Sequence, residues 1–559
     1  MSEAASPTEA TRESSSTEKR GPVLDILREL LAEGRDGAVL ALVSKLVARN
    51  GELERRLAQL LSRGHKNEGI STAQLKLFLD ALCAQPQGDD APASPEIGEA
   101  NDKLRSASGI DEKSTDGAAT ENPARQPSLR QPPPAHLPRV ENPIAVPAAE
   151  RACPSCGAER TCIGHDVTEV IELVPAQVIV RVDKREKLAC GTCEGEIVRA
   201  PVGDKVVSGG RLGSTLVAVL LVDKYDDGLP LHRQKRRFER MGLPLSVSTL
   251  ADQVTWGTDL LRPLWRAAVA EVLAAEVMHV DATGLPVLDA EATGGKRLGS
   301  LWGYVGDESV AAYLYASTGK KKAQRPGELG PEDMLARRTG YTVADASNLY
   351  DASFERPDLI ECGCNMHGRR YFTKALDGGD ARAALPIAAY KKLYEIEGRI
   401  RGSGLDEKLA VRQAESKPVW AELVAWCETY KPHEPPSSPL GAAIRYLTNH
   451  QEALGRFLDD GVIPIDNGIV ERLHVRAALT RKNFLFAGSD TGGERAAIAY
   501  TILGCCRLAG INPVEYLTDV LPRLARRVRL RDLAELLPSR WKPTRDVAKS
   551  AQADGTPAN

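Results

Sequence analysis

Three scarcities narrow what this 559-residue chain can be. Cysteine is sparse, 11 in all, too few for a disulfide scaffold of this length, and this points to a reducing compartment. Long apolar runs are missing: no stretch of about 18 apolar residues occurs, so no membrane-spanning helix is expected. The first residues, MSEAASPTEATRESSSTEK, lack the apolar core of a secretory signal, and the expectation is a cytoplasmic protein. Net charge is also small, -3, but the mean conceals segregation of sign. Acids crowd residues 88–121, whereas bases crowd Arg233–Arg240, Arg369–Lys374, Arg481–Lys482 and Arg523–Arg531. Such stripes can hold a polyanion, because each phosphate contact releases counterions locally. Solvated helix faces are the competing reading.

What is present divides the chain into segments. The length allows three or four domains, and 42% apolar content allows a sizeable core. Residues 1–20 and 546–559 read as disordered. Residues 21–85 read as helical, with Val43, Leu46, Asn50, Leu53, Leu57 and Leu60 forming a short heptad seam suited to a coiled coil or a helical hairpin. Residues 86–150, rich in Pro, Ala, Ser and acids, read as a flexible linker.

Cys153, Cys156, Cys190 and Cys193 form two Cys-x-x-Cys pairs, the spacing that bends four thiolates toward one structural zinc. A zinc ribbon is expected over 151–200, with two strands turning at Pro175 between the pairs. Cys162 and His165 stand near the first pair and are the competing ligands, but the two Cys-x-x-Cys pairs already complete a four-coordinate site. Residues 201–274 read as helical, with Ser214 as a cap, a basic helix from Leu231 to Met241, and a break at Gly242-Leu-Pro244. A further helix opens at Ser246, Ser248 and Thr249. That is the outline of a helix-turn-helix. Arg233, Arg236, Arg237, Ser246, Ser248 and Thr249 are then the candidate DNA contacts.

From residue 275 the period becomes strand-like. VMHVDATGLPVLD, then LWGYVGDESVAAYLYAS turning at Gly306-Asp307, give three strands. A short helix from Glu332 to Arg338, a strand Tyr341–Asp345 and a strand Leu359–Cys364 follow. This is the element order of an α/β ribonuclease-H-like fold, expected over 275–515, in which the first and fourth strands are neighbours. Asp281 and Asp345 would then converge, and Glu471 can join them from a helix beginning near Asp466 or Asn467. Phosphodiester transfer needs such oxygen ligands for two Mg²⁺ or Mn²⁺ ions about 3.5–4 Å apart. Asp289 and Asp351 read as turn acids. The span from about 376 to 465 is too long for a loop and reads as a helical insertion. A zinc site from Cys362, Cys364 and His367 lacks a fourth ligand, so core burial is the better reading there, as for Cys505 and Cys506.

NGIVERLHVRAALTRKNFLFAGSDTGGERAAIAYTILGCCRLAGINPVEYLTDVL resembles the C-terminal catalytic block of the insertion-sequence-66 family of bacterial transposases, the TnpC-type DDE enzymes. CPSCG with CGTC, DKYDDGLPLHRQ, SVSTLADQV and GCNMHGRRYF agree in order, and the resemblance covers about 150–540. It implies a DNA transposase in which Asp281, Asp345 and Glu471 hold catalytic Mg²⁺ or Mn²⁺. End recognition is expected from the ribbon and the helix-turn-helix, and the basic stripes add His367, Arg369, Arg370, Arg481 and Lys482 as candidate DNA contacts. The partners the resemblance implies are terminal inverted repeats, target DNA, a second copy of the chain and small accessory proteins, at the nucleoid. The sequence departs from the family with Asp281-Ala-Thr-Gly284 and Ala344-Asp345-Ala-Ser347, where Asp-Glu-Thr-Pro and Thr-Asp-Gly-Tyr are common. A catalytically inactive zinc-ribbon DNA-binding protein derived from a transposase is the alternative. The C-terminal segment 516–545 reads as helical.

Overall fold

The structure, a computed structural model, describes residues 75, 95–110, 177–182, 184, 186–188, 198–199, 210, 212–317, 330–345, 350–526 and 528–542. Cys153, Cys156, Cys162, His165, Cys190 and Cys193 lie outside the described residues, as do Pro175, the Val43–Leu60 seam and residues 1–20 and 546–559.

The first described helix, α1 (Pro95–Ser108), stands inside the stretch read as flexible linker and corrects that reading. Its composition is polar, so its stability is tertiary rather than local. Leu104 is fully buried, and Asn101 Oδ1 accepts from Trp426 Nε1 at 2.8 Å and from Tyr430 OH at 3.0 Å. Leu104→Ala is expected to cost about 2–4 kcal/mol of local stability and free the helix. Limited proteolysis between residues 95 and 110 measures it: cleavage should accelerate in the variant, and an unchanged rate would mean that α1 is held elsewhere.

Strands β1 (Lys187–Leu188) and β2 (Val198–Arg199) pair antiparallel around the second Cys-x-x-Cys. Residues 177–182, expected as strand, carry none. Val178 packs partly buried against the core, but Ile179, Val180 and Val182 are 76%, 88% and 72% exposed, so the alternation is covered only at its start.

Three helices follow: α2 (Ser214–Tyr225), α3 (Leu231–Arg240) and α4 (Val247–Ala274). The cap of α2 is Gly213 rather than Ser214. That of α4 is Ser246, whose Oγ accepts from Thr249 N at 3.0 Å. Buried Leu250, Val254, Leu261, Trp265, Ala268 and Val272 recur at helical spacing on α4, so most of this helix is core. Trp265 Nε1 anchors it by donating to Tyr313 O at 2.8 Å.

The sheet is built from β3 (Val277–Leu288), β4 (Lys296–Gly306) and β5 (Val310–Ala316), then β6 (Gly340–Ala344) after α5 (Pro331–Arg337) and β7 (Leu359–Gly363) after α6 (Asp351–Phe354). Its order is β5-β4-β3-β6-β7, antiparallel among the first three strands and parallel from β3 through β7. The β4–β5 turn places Asp307 and Glu308 at φ 45° and 54°, and Asp307 is anchored by accepting from Glu276 N and Val277 N.

Beyond β7 come α7 (Asn365–Asp377), α8 (Ala384–Arg399), α9 (Leu405–Val411), α10 (Lys417–Tyr430), α11 (Pro439–Asn449) and α12 (Gln451–Gly455). The long span from about 376 to 465 is therefore helical. A π turn at Arg412–Ser416 joins α9 to α10 where Arg412, 2% exposed, bonds Glu397 and the carbonyls of Phe457, Asp460 and Ile463. The chain then forms α13 (Gly468–Phe484), α14 (Asp490–Leu508) and α15 (Pro513–Ala525). A Cβ at Gly493 would lie 2.6 Å from the Tyr315 ring, so glycine lets α14 press against β5.

Two cores result. Met278, Val280 and Leu285 of β3 join α2, α4, α14 and α15 in one. Val277, Val343 and Cys362 join α1, α7, α8, α10 and α11 in the other. Cys505 and Cys506 are buried in the first. Among the described residues, no helix is long and apolar enough to cross a membrane.

Candidate active site

Parallel pairing of β3 with β6 runs Val277↔Tyr341, Met278↔Thr342 and His279↔Val343. Continued by two residues, this register brings Asp281 level with Asp345, the residue directly after β6, and the charge of Asp281 acts on Asp345. Side chains two apart share a face, so Asp281 lies on the side of β3 that carries Val277 and His279.

The third carboxylate, Glu471, occupies the first turn of α13, and that turn is tied to β3 by Asn467. Asn467 is fully buried. Its Nδ2 donates to Val280 O at 2.7 Å, its Oδ1 lies 3.0 Å from His279 Nδ1, and its main-chain N–H donates to Cys364 Sγ at 3.3 Å. Burial pulls His279 down to about 4, so the ring is neutral at pH 7. An amide oxygen only accepts, so the proton sits on Nδ1 and points at Asn467.

One turn later His474, likewise brought down to about 4 by burial, presents Nε2 at 3.2 Å from Asp281 O and 3.5 Å from Asp281 Oδ2. The carbonyl requires the proton on Nε2, and Nδ1 then accepts from Tyr313 OH at 3.4 Å. Gly303, the β4 partner of Asp281, makes the room: a Cβ there would lie 2.7 Å from His474 Cε1. Asn467, Glu471 and His474 follow the i, i+4, i+7 spacing of one helix face. Sequence reasoning singled out only Glu471, although that spacing was the available signal.

The three carboxylates share one electrostatic neighbourhood. Burial pushes Asp281 up to about 6, opposed by a hydrogen bond from the Ala282 backbone and by the Arg370 charge. Asp345 is raised by burial and then by the charge of Asp281. Glu471 is raised by burial and also by Asp281, with Arg370 pulling it down. Asp345 Oδ1 and Glu471 Oε1 are buried without a hydrogen-bond partner among the described residues. An unsatisfied buried carboxylate oxygen is costly, so this arrangement suits a bound cation.

The basic candidates separate into two groups. Arg233, Arg236 and Lys482 are exposed, as are Ser246 and Ser248 at the start of α4, where Thr249 is half-buried. Arg237 instead pairs with Asp223, and Arg481 is held internally by Thr283 Oγ1 at 3.0 Å and by Gly284 O. His367, Arg369 and Arg370 lie along the first turns of α7. His367 Nδ1 stands 3.6 Å from Glu471 Oε1, and Arg370 NH2 3.5 Å from Oε2. Asp289 pairs with Arg297 at 2.9 Å and Glu494 with Arg262 at 3.7 Å; Asp351 opens α6.

Asp281 makes stability depend on pH. Its folded value of about 6 exceeds the ordinary 3.8, so between these values the folded protein keeps a proton that the unfolded chain has released. Stability from this group is complete below that window and is lost as pH rises through about 6. The thermal midpoint of metal-free protein should therefore fall from pH 4.5 to 6.5 more steeply in the wild type than in Asp281→Asn. Parallel curves for the two proteins would remove this assignment.

Known families match most of the chain. The model described as the transposase IS66 family matches residues 209–495, the zinc-finger binding domain of transposase IS66 matches 150–194, and the IS66 C-terminal element matches 501–539. Relatives occur in Sinorhizobium fredii (strain NBRC 101917 / NGR234). Its uncharacterized protein y4hP is 34% identical over 443 residues, 75% of this chain and 78% of the relative. The uncharacterized protein y4qI is 32% identical over 439 residues, 76% and 80% of the two chains. The uncharacterized protein y4jD is 31% identical over 425 residues, 73% and 81%.

Proposed function

Because the chain belongs to the transposase IS66 family, we propose that it binds the terminal inverted repeats of its element, cleaves the DNA there and joins the freed 3′-OH ends to target DNA. The observation that carries this reading is that the charge of Asp281 on β3 acts on both Asp345, just after the neighbouring parallel strand, and Glu471 on a later helix, with two buried carboxylate oxygens lacking hydrogen-bond partners among the described residues. The strand order β5-β4-β3-β6-β7 supports a ribonuclease-H-like catalytic domain over 275–515 with its helical insertion at about 376–465.

The donor set fits a hard divalent cation: three carboxylates, of which Asp281 repels the other two and Asp345 and Glu471 each leave a buried oxygen without a hydrogen-bond partner among the described residues, are what Mg²⁺ or Mn²⁺ binds. Asp281, Asp345 and Glu471 would hold it, and when bound it would stabilise the attacking and leaving oxygens of an in-line displacement. His474 and Asn467 fix where Asp281 and Glu471 stand. Arg370 brings positive charge beside Glu471 and Asp281, where it can meet a phosphate oxygen. Exposed Arg233, Arg236 and Lys482, with the Ser246 helix start, offer phosphate contacts away from the carboxylates. Zinc held by Cys153, Cys156, Cys190 and Cys193 within the matched zinc-finger domain would supply folding energy to an end-recognition module. Pairing of two copies through the Val43–Leu60 seam would let one assembly hold both ends.

Mn²⁺ titration by calorimetry tests the cation assignment without DNA. Asp281→Asn should weaken binding about tenfold or more. Unchanged Mn²⁺ affinity in Asp281→Asn would reject the carboxylate cluster as the metal site.

A further inference from the structure

A second set of donors converges on Glu471 from α7. Cys364 caps that helix and His367 lies in its first turn, and their side chains meet Glu471 so that one ligand atom from each lies within 4.8 Å of the others. The start of α7 is docked rigidly: Asn365 Nδ2 donates to Leu454 O at 2.8 Å and Ile465 O at 3.1 Å, and Asn467 N donates to Cys364 Sγ. The third ligand is therefore a residue remote in sequence and not Cys362, which sits in the helical core beside Val343.

The chemistry of this set differs from that of the carboxylates. Tetrahedral zinc bonds of about 2.0–2.3 Å imply ligand–ligand edges of about 3.3–3.7 Å. The His367 Nδ1 to Glu471 Oε1 edge is already 3.6 Å. Glu471 divides its oxygens, Oε2 facing Arg370 and Oε1 facing His367. Burial pushes the Cys364 thiol up to about 12, opposed by the Asn467 main-chain N–H aimed at Sγ, so the thiolate forms only as an incoming cation displaces the proton. Sulfur and imidazole ligands select zinc over magnesium.

We propose that Cys364, His367 and Glu471 form a site for a thiophilic divalent cation, Zn²⁺, and that filling it draws Glu471 from the carboxylate cluster and so inhibits Mg²⁺-dependent strand cleavage. The site itself stands on the geometry alone; the inhibition rests on the proposed function. Cys364 binds as thiolate and its proton passes to solvent. His367 binds through Nδ1 with its ring proton on Nε2, and Arg370 NH1, 3.4 Å from Nε2, turns toward Glu471 Oε2 and Asp281. Three protein ligands leave the fourth position to water.

Metal content is the first readout. Full-length protein stripped by chelation under reducing conditions and reloaded with Zn²⁺ should hold one more zinc per chain than Cys364→Ser or His367→Gln, each verified as folded by circular dichroism. Co²⁺ loading should give a thiolate-to-cobalt band in the wild type, over the zinc-finger signal, that Cys364→Ser lacks. Equal zinc content in all three proteins overturns the site. In cleavage assays at fixed Mg²⁺, micromolar Zn²⁺ should slow the wild type about tenfold or more and Cys364→Ser much less. Equal slowing of both, with the difference in zinc content present, overturns the inhibition and keeps the site. Absence of any Mg²⁺-dependent cleavage in the wild type would instead strike the proposed function and the inhibition with it.

Discussion

Glu471→Gln is expected to lower strand cleavage and joining by about a thousandfold or more while leaving affinity for DNA ends within about twofold. The substitution keeps the side chain's size and its place on the first turn of α13, and removes only the charge and one acceptor oxygen. A developing negative charge on the transferred phosphate then loses a cation that three carboxylates would have held. Binding is expected to survive because the proposed phosphate and base contacts lie elsewhere. Gel-shift and single-turnover cleavage measured on the same preparation separate the two effects. Near-normal cleavage by Glu471→Gln would exclude Glu471 and turn attention to another acid, although Glu494 is engaged with Arg262 on α4.

Asn467→Leu should be the most damaging substitution outside the carboxylates. Leucine keeps the branch at Cγ but is bulkier, and it strands the Nδ1–H of His279 and the carbonyl of Val280 in a fully buried setting. Each orphaned group costs about 1–3 kcal/mol, so a loss of about 2–5 kcal/mol in stability is expected. The start of α13 loses its tie to β3, and a displacement near 1 Å at Glu471 would slow cleavage by about a hundredfold. Thermal unfolding and cleavage should fall together. A stable variant with full activity would show that α13 is held by its apolar face alone.

Much of the sheet was legible because its strands alternate cleanly and their turns are marked: Gly306-Asp307 ends β4, and Asp345 directly follows β6. What escaped depended on partners distant in the chain. Helix α1 is polar and reads as linker until Trp426 and Tyr430, more than 300 residues on, supply a surface for Asn101. Residues 177–182 alternate like a strand, but of their apolar side chains only Val178 packs against the core. Arg237 and Arg481 look like DNA contacts in a basic stripe, yet each meets an internal acceptor, Asp223 for one and Gly284 O for the other. Asn467 and His474 lie at helical spacing from Glu471, but nothing local reveals that their targets are Val280 and Asp281 on β3.

The most direct test incubates purified full-length protein with Mg²⁺ and DNA carrying the two ends of the element that encodes it, and maps strand breaks at nucleotide resolution. The account predicts Mg²⁺-dependent breaks at the element ends that leave 3′-OH termini, in wild type but in none of Asp281→Asn, Asp345→Asn and Glu471→Gln, all of which still bind the ends. Breaks that persist in all three variants, or wild-type protein that binds the ends and never cuts them with Mg²⁺ or Mn²⁺, would contradict it.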